Sequence, residues 1–239
     1  MSTTTLHIDF VSDVACPWCA VGLNALETAL QRLAPEVQAE LHFQPFELNP
    51  DMAPEGADAG EYLKAKYGMG DEQLAHTRGV IRERGAAVGF NFGDRVRVWN
   101  TFDAHRLLHW ADQPGQPEGA QRALKHALLQ AYHGEGRNPG AFDVLLDLAR
   151  RVGLDAAVAA DVLKRGLYAD EVRAAELHWQ QAGISSVPAV VINRQHLISG
   201  GQPPEVFEQA LRQIASGVAS GVAGSDASSD ASGVASNQA

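Results

Sequence analysis

Cysteine is scarce in this sequence, with two residues, Cys16 and Cys19, in a chain of 239. Two cysteines three positions apart exclude the multi-bridge disulfide framework of small secreted proteins. With 45% hydrophobic residues, a chain of this length buries enough apolar surface to fold without such a framework. A reducing compartment also disfavours a purely structural disulfide. The pair therefore requires a chemical explanation.

Basic residues are in deficit, and long apolar runs are missing. Lysine and arginine number 19 against 29 acidic residues, which gives a formal net charge of −10. Nucleic acids and anionic membranes bind basic surfaces, so we expect neither as a partner. No apolar stretch approaches the roughly 18 residues of a membrane-spanning helix. The N-terminal residues show no basic segment followed by a continuous apolar one, so we expect no secretory signal and a cytoplasmic location.

The N-terminal pattern is strand, helix, strand. Residues 6–11 alternate apolar and polar side chains before becoming apolar, which predicts a strand entering a buried sheet. Apolar residues recur at helical spacing over residues 16–33, and the C-P-W-C run forms the first turn of this helix. Pro17 suits the first helical position, where its missing N–H breaks no hydrogen bond. Residues 41–46 predict a second strand.

The rest of the chain is helical by pattern until strands return near the C-terminus. Residues 189–192 and 196–198 predict two strands joined by a tight hairpin turn, and residues 205–215 predict a final helix. Residues 216–239 are mostly Ser, Gly, Ala and Val, too little apolar area to offset the entropy of ordering, so we expect a disordered tail. The helices predicted in the middle section are residues 61–67, 71–88, 101–112, 118–132, 141–152, 155–163 and 170–183.

This order predicts an α/β chain with a thioredoxin-like fold and an inserted all-helical domain. The thioredoxin-like part comprises residues 1–52, which contain the C-x-x-C motif, and residues 183–215. The helical insertion comprises residues 53–182, and the tail begins at residue 216. Along the chain, the insertion is therefore expected to lie between the two segments that form one sheet.

The two cysteines are predicted to have different roles. Attack on a disulfide requires a thiolate, and an unperturbed cysteine has a pKa of about 8.5. Free backbone N–H groups at a helix N-terminus stabilise an anion, so we assign Cys16 as the nucleophile. Cys19, one turn along, is the resolving thiol that attacks the mixed disulfide. Pro17 and Trp18 carry no charge, so we expect a potential less oxidising than about −120 mV. Trp18 would also offer an apolar contact to a substrate.

Val187 and Pro188 directly precede the returning strand. In a thioredoxin-like sheet this loop faces the C-x-x-C motif, and we predict a cis peptide bond at Pro188. The cis bond would expose the Val187 backbone, which would then pair with an extended substrate as in strand addition. The alternative is an ordinary trans proline that opens a strand.

Five motifs occur in consistent order along residues 5–215. They are DFVSDVACPWC at 9–19, PFELNPDM at 45–52, NTFDAHRL at 100–107, GISSVPAVVI at 183–192 and SGGQPPEVF at 199–207. Together they resemble the DsbA-like oxidoreductases of the FrnE type. The resemblance implies a thioredoxin fold with a helical insertion, C-x-x-C redox chemistry, a cis-proline loop and a cytoplasmic setting.

The same superfamily includes 2-hydroxychromene-2-carboxylate isomerases and kappa-class glutathione transferases, which commonly have serine at the position of Cys16. Retention of both cysteines favours a thiol–disulfide oxidoreductase or isomerase acting on protein or small-molecule thiols and disulfides. The alternative is a glutathione-dependent isomerase or transferase acting on a small aromatic or polyketide substrate. A third interpretation, a chaperone-like protein with a vestigial dithiol, requires that Cys16 be dispensable. We expect no cofactor except glutathione as a co-substrate, and a homodimer is one candidate assembly.

Three polar residues in these motifs are candidate substrate contacts. Asn49 follows the second strand, where its alternative role is a turn residue before a proline. Asn100 and His105 match the family's N-T-x-x-A-H-R motif, and we expect them to line the groove between insertion and sheet. His105 and His109 would complete a set of four zinc ligands with the two cysteines. The redox arrangement of the C-x-x-C motif argues against zinc, so no metal site is predicted.

Overall fold

The computed structural model describes residues 3–221, with side chains described for residues 3–218. A π-helical turn, Gln130–Gly134, directly follows the α-helix Ala120–Leu129. The strands are β1 (Thr4–Ser12), β2 (Val37–Pro45), β3 (Ala57–Asp58), β4 (Arg97–Val98), β5 (Ala189–Ile192) and β6 (His196–Ser199). The helices are α1 (Pro17–Leu33), α2 (Ala59–Tyr67), α3 (Asp71–Ala87), α4 (Phe102–Ala111), α5 (Ala120–Leu129), α6 (Phe142–Arg151), α7 (Ala156–Lys164), α8 (Ala169–Gln181) and α9 (Pro204–Gly221).

Four of the strands form one mixed sheet in the order β2-β1-β5-β6. Strand β1 is parallel to β2, because α1 crosses back over the sheet between them. Strand β5 is antiparallel to β1, and β6 is antiparallel to β5. Asn193 (φ 51°) and Arg194 (φ 57°) form the tight turn between β5 and β6 that the sequence predicts.

Helices α1 and α9 pack on one face of this sheet and form the main core with it. Ile8 and Phe10 of β1 alternate toward this face and are fully buried. Cys16 and Cys19 belong to the same buried cluster. The dithiol is therefore held by the packing of the sheet against its helices.

The helical insertion has a second core of its own, built from α4 to α7 and the π-helical turn. Val14 and Ala15, which precede the first cysteine, belong to this second cluster. The insertion therefore packs directly against the loop that leads to Cys16. Strands β3 and β4 pair antiparallel near α2, so the insertion is not purely helical. Strands of two residues are too short to leave an alternating signal in the sequence.

The predicted α/β thioredoxin-like fold with a helical insertion is confirmed, and several boundaries differ. Strand β2 begins at Val37, earlier than predicted. Helix α9 continues to Gly221, so the structure places residues 216–221, which the sequence predicts as the start of the tail, in this helix. The remainder of the predicted tail, 222–239, lies outside the described residues. The domain boundaries stay predictions. Within residues 3–221, no helix combines the length and apolar character needed to cross a membrane.

Candidate active site

Cys16 occupies the N-cap position of α1. Its backbone is extended (φ −86°, ψ 116°), and Pro17 is the first residue of the helix, as predicted. Cys19 follows one turn later, and its backbone N–H donates to the Cys16 carbonyl at 3.1 Å. Both thiols are free, and the residues are 4% and 0% exposed, respectively. Of the two residues, only Cys16 has any exposed surface.

The surroundings separate the two thiols in acidity. A hydrogen bond from the Cys19 thiol lowers the pKa of Cys16, and backbone N–H groups of Trp18 and Cys19 lower it further, against burial and the charge of Asp13. Burial raises the pKa of Cys19 well above its ordinary value, and its hydrogen bond to Cys16 adds to the effect. Cys16 is therefore the more readily ionised nucleophile, while Cys19 retains its proton.

The loop before β5 lies against this nucleophile. The Val187–Pro188 peptide bond is cis, which confirms the prediction. The Cys16 thiol donates to the Val187 carbonyl, with 3.5 Å between sulfur and oxygen. The Gly200 N–H donates to the Pro188 carbonyl at 2.8 Å and ties the loop to the end of β6. Gly22 of α1 provides the room for this approach, because a Cβ there would lie 3.0 Å from Pro188 Cγ.

A buried carboxylate links the cysteine loop to the insertion. Asp13 accepts hydrogen bonds from the backbone N–H groups of Ala15 (3.0 Å) and Leu48 (2.7 Å), the Thr101 hydroxyl (2.8 Å) and His105 Nε2 (3.3 Å). Burial alone would raise the pKa of Asp13, but His105 and the backbone N–H groups hold it below its ordinary value. Asp13 therefore remains ionised beneath the dithiol.

A buried lysine from the insertion lies near both sulfurs. Lys125 of α5 is 0% exposed, and its Nζ has no hydrogen-bond partner among residues 3–218. It is close enough to Cys19, Asp13 and Cys16 for its charge to interact with theirs. Burial lowers the pKa of Lys125, and these three groups oppose the shift only in part. Leu129, one turn further along α5, packs in the same cluster as the cysteines.

Two other side chains of the insertion hold the carbonyl groups that precede Cys16. His133 is 2% exposed, and its Nε2 donates to the Val14 carbonyl at 2.8 Å. Burial, aided by the charge of Arg95, lowers the pKa of His133 to about 3, so its ring is neutral at physiological pH. Arg95 itself donates from Nη1 to the Ala15 carbonyl at 3.0 Å. The insertion thus holds the backbone of Val14 and Ala15, directly before the nucleophile Cys16, in place.

The outer surface around Cys16 is partly apolar. Trp18 and Val187 are half-buried members of the cluster that contains the cysteines. Tyr67 of α2 is 52% exposed, and its pKa is raised by burial and also by the nearby charge of Cys16. An open hollow of about 560 Å³ begins at Tyr67. Its other lining residues are Gly68, Met69, Glu72, Gln73, His76 and Thr77.

This combination of sheet, dithiol and insertion recurs in known proteins. The family model of the DSBA-like thioredoxin domain matches residues 7–212. The chain belongs to this DsbA-like family. Uncharacterized protein YwbO of Bacillus subtilis is 30% identical over 209 residues, which cover 87% of this chain and 96% of YwbO. The family is one of thiol–disulfide oxidoreductases, and the Cys16–Cys19 pair lies at the expected helix start.

Solved structures have the same architecture as this DsbA-like chain. The crystal structure of a probable DsbA oxidoreductase, SCO1869 of Streptomyces coelicolor, is 37% identical with a TM-score of 0.80, covering 89% of this chain and 90% of that one. The cytosolic disulfide reductase DsbM of Pseudomonas aeruginosa, solved with GSH, is 20% identical with a TM-score of 0.58, covering 88% and 98%. The DsbM likeness shows a shared fold.

Two of the other predicted site residues stabilise loops of the DsbA-like chain. Asn49 Oδ1 accepts hydrogen bonds from the Tyr62 hydroxyl at 2.8 Å and from Lys66 Nζ at 2.7 Å. Asn100 Oδ1 accepts the backbone N–H of Phe102 at 2.8 Å, at the start of α4. Both side chains are half-buried. A substrate contact of either residue stays a prediction.

His105 is not placed as the sequence suggested. It is 2% exposed and hydrogen-bonded to Asp13, so it does not line an open groove. It reaches the cysteines only through that carboxylate and is a positioning residue. Sequence reasoning also missed Asp13, Lys125 and His133. One signal was available for Lys125, because it lies on the apolar stripe of α5, four residues before Leu129.

Proposed function

We propose that this chain is a thiol–disulfide oxidoreductase or isomerase of the FrnE type, acting in the cytoplasm on protein disulfides or on mixed disulfides with glutathione. One observation carries the proposal: two buried sulfurs with opposite pKa shifts, of which the more acidic one contacts the cis-proline loop. A site for nucleophilic attack followed by internal resolution requires this asymmetry.

In the first step the Cys16 thiolate attacks a substrate disulfide, R–S–S–R′. A bond forms between Cys16 Sγ and one substrate sulfur, the substrate S–S bond breaks, and R′S⁻ leaves. In the free protein the Val187 carbonyl accepts a hydrogen bond from the Cys16 thiol. This hydrogen bond is lost when Cys16 reacts, and the carbonyl becomes available to the substrate. An extended substrate segment takes up this backbone by strand addition beside Pro188.

In the second step Cys19 resolves the mixed disulfide. Cys19 first gives up its proton, and we assign Lys125 as the acceptor, because burial lowers its pKa and so favours its neutral form, and because its charge interacts with that of Cys19. The Cys19 thiolate then attacks Cys16 Sγ, the Cys16–Cys19 disulfide forms, and RS⁻ leaves and is protonated. The dithiol has supplied two electrons to the substrate, and the reverse sequence oxidises a substrate dithiol. A small thiol such as glutathione restores the dithiol.

The direction of electron flow follows from the uncharged residues between the cysteines. Pro17 and Trp18 add no cation that would stabilise the thiolate further. A less stabilised thiolate makes the disulfide less oxidising, so we expect a reduction potential below about −120 mV. Reductase or isomerase work suits such a potential in a glutathione-containing compartment.

Replacement of the resolving thiol tests the proposal. The variant Cys19→Ser should lose catalytic turnover in insulin reduction and in reactivation of scrambled ribonuclease, while a mixed disulfide at Cys16 accumulates and is detected by mass spectrometry. The matched variant Cys16→Ser should lose turnover without the adduct. A glutathione-dependent isomerisation of a small aromatic molecule needs only Cys16. Full activity of Cys19→Ser on such a substrate would therefore contradict the dithiol mechanism.

A further inference from the structure

Four polar side chains meet on the outer face of β1 and β2, away from the core. In the parallel register of these strands His7 lies opposite Glu40, and Asp9 lies opposite His42. Residues two apart on a strand point to the same face, so the four positions form a two-by-two array. Ile8, which lies between His7 and Asp9 on β1, points the other way into the core.

Three members of this array bring potential metal ligands together. One ligand atom each from His7, Glu40 and His42 lies within 4.8 Å of the other two. The two imidazole ring centroids are 4.9 Å apart. Ligands of a tetrahedral zinc ion lie about 3.3 Å from one another, given bonds near 2.0 Å. Metal binding therefore requires the side chains to move closer together, and the partial exposure of all three leaves them room to rotate.

The imidazole groups are already oriented by carboxylates. His7 Nε2 donates to Asp9 Oδ2 at 3.0 Å, and Gln44 Nε2 holds the other Asp9 oxygen at 2.7 Å. His42 Nδ1 donates to Asp112 Oδ2 at 3.5 Å, where Asp112 caps the C-terminus of α4. In each ring one nitrogen is thus engaged and the other is left as a ligand. Carboxylate–histidine–metal arrangements of this kind fix the tautomer and raise the basicity of the ligand.

We propose that His7, Glu40 and His42 form a binding site for a divalent transition-metal ion of the Zn²⁺ class, distinct from the dithiol. Two imidazoles and one carboxylate suit Zn²⁺, with water as the fourth ligand, and also Cu²⁺ or Ni²⁺. Asp9 and Asp112 act in the outer shell. Through Asp112 the bound ion joins the sheet to the helical insertion.

Calorimetric titration with Zn²⁺ tests this site in the full-length chain. The Cys16–Cys19 pair is first oxidised to the disulfide, because free thiolates also bind zinc. We expect one ion per chain at micromolar concentration. Binding should be lost in His42→Ala and in Glu40→Gln; Glu40 is exposed, so the second change leaves packing intact. Asp112→Asn should weaken binding by about 10- to 100-fold.

The exposed His196 of β6 supplies the matched control, and His196→Ala should bind as the wild-type chain does. Absence of micromolar Zn²⁺ binding by the oxidised wild-type chain would overturn the proposal. Equal binding by Glu40→Gln, His42→Ala and His196→Ala would overturn it as well, because the ion would then lie elsewhere. These outcomes do not depend on thiol–disulfide exchange, so the metal site and the proposed function stand or fall separately.

Discussion

The thioredoxin-like part and the helical insertion contribute different things to the same site. The sheet and its first helix present the reacting sulfurs of Cys16 and Cys19 and the loop at Pro188. The insertion supplies ionisable side chains that do not face the surface, His105 and Lys125 among them. The thioredoxin-like part holds the atoms that exchange and most of the groups that set their acidity, and the insertion adds Lys125, whose charge lowers the pKa of Cys19 against burial.

The comparison shows where tuning of a common dithiol can arise. A C-x-x-C motif at a helix start provides a nucleophile in any thioredoxin-like chain. In this chain Lys125, whose charge interacts with both sulfurs, and His105, which is hydrogen-bonded to Asp13, come from a segment inserted between two strands. Asp13 is the joint between the two regions, because it follows β1 and accepts hydrogen bonds from Thr101 and His105 of the insertion.

Replacement of Asp13 should have the largest effect on stability. In Asp13→Ala, buried donors from both regions lose their shared acceptor. We expect the free energy of unfolding to fall by about 3–5 kcal/mol, measured by urea denaturation of the reduced protein. Asp161→Ala is the matched control; its side chain is 56% exposed in an (i, i+4) pair with Arg165, so the expected loss is below about 1 kcal/mol. Similar losses in the two variants would show that Asp13 does not join the regions.

The sheet side of the site could be predicted because its signals are local. Pro17 directly after Cys16 marks a helix start, and Val187 and Pro188 directly precede an apolar run. Each signal lies within a few residues, where backbone geometry decides the outcome. Element order then sufficed to bring the two segments face to face.

The insertion side could not be predicted from such signals. Asp13 and His105 are 92 positions apart, and their contact depends on how two separate cores pack. A histidine in a motif therefore suggested a groove contact, whereas tertiary packing buried it. The array at His7 and His42 was missed for a similar reason, because the strand register of β1 and β2 sets the spacing of its members.

Replacement of the buried Lys125 should slow the resolving step without lowering the free energy of unfolding. In Lys125→Met we expect the resolving step to slow by about a hundredfold, since a general base is removed. Release of thionitrobenzoate from a Cys16 mixed disulfide measures this step directly. The wild-type rate should level off at the lowered pKa of Lys125, whereas the variant rate should keep rising with pH, because Cys19 must then ionise unaided.

Stability should not fall in the same variant, because the Lys125 amine has no hydrogen-bond partner among the described side chains to lose. Arg122→Met, on the same helix at a 51% exposed side chain, is the control and should resolve at the wild-type rate. If the pH profile of the resolving step is unchanged in Lys125→Met, Lys125 does not accept the proton of Cys19, and the insertion takes no part in that step.

Acid should weaken the protein through a second buried group of the insertion. The folded-state pKa of His133 is lowered to about 3, against 6.5 for the free side chain. Above pH 6.5 the ring is neutral in both states, and stability is fully present. Below pH 6.5 the unfolded chain takes up a proton that the folded chain refuses, so the free energy of unfolding falls by up to about 1.4 kcal/mol per pH unit.

Between pH 6.5 and pH 5 this mechanism removes up to about 2 kcal/mol. His133→Gln keeps a donor for the Val14 carbonyl but cannot titrate, so its unfolding free energy should change less over that interval. Urea denaturation at the two pH values measures the difference. Parallel pH dependence in the variant and the wild-type chain would assign the acid sensitivity to other groups.

The smallest effects come from two Gly→Ala substitutions, one in each region. A Cβ at Gly22 would lie 3.0 Å from Pro188 Cγ and 3.3 Å from Gly201 Cα, so Gly22→Ala should cost about 1–2 kcal/mol and slow insulin reduction by displacing the loop. Gly79 in α3 has nothing within 4 Å of such a Cβ, so Gly79→Ala should stabilise by about 0.5–1 kcal/mol. An increase in unfolding free energy in both variants would contradict this expectation. It would mean that the cis-proline loop moves to accommodate a side chain at position 22 of α1 without loss of stability.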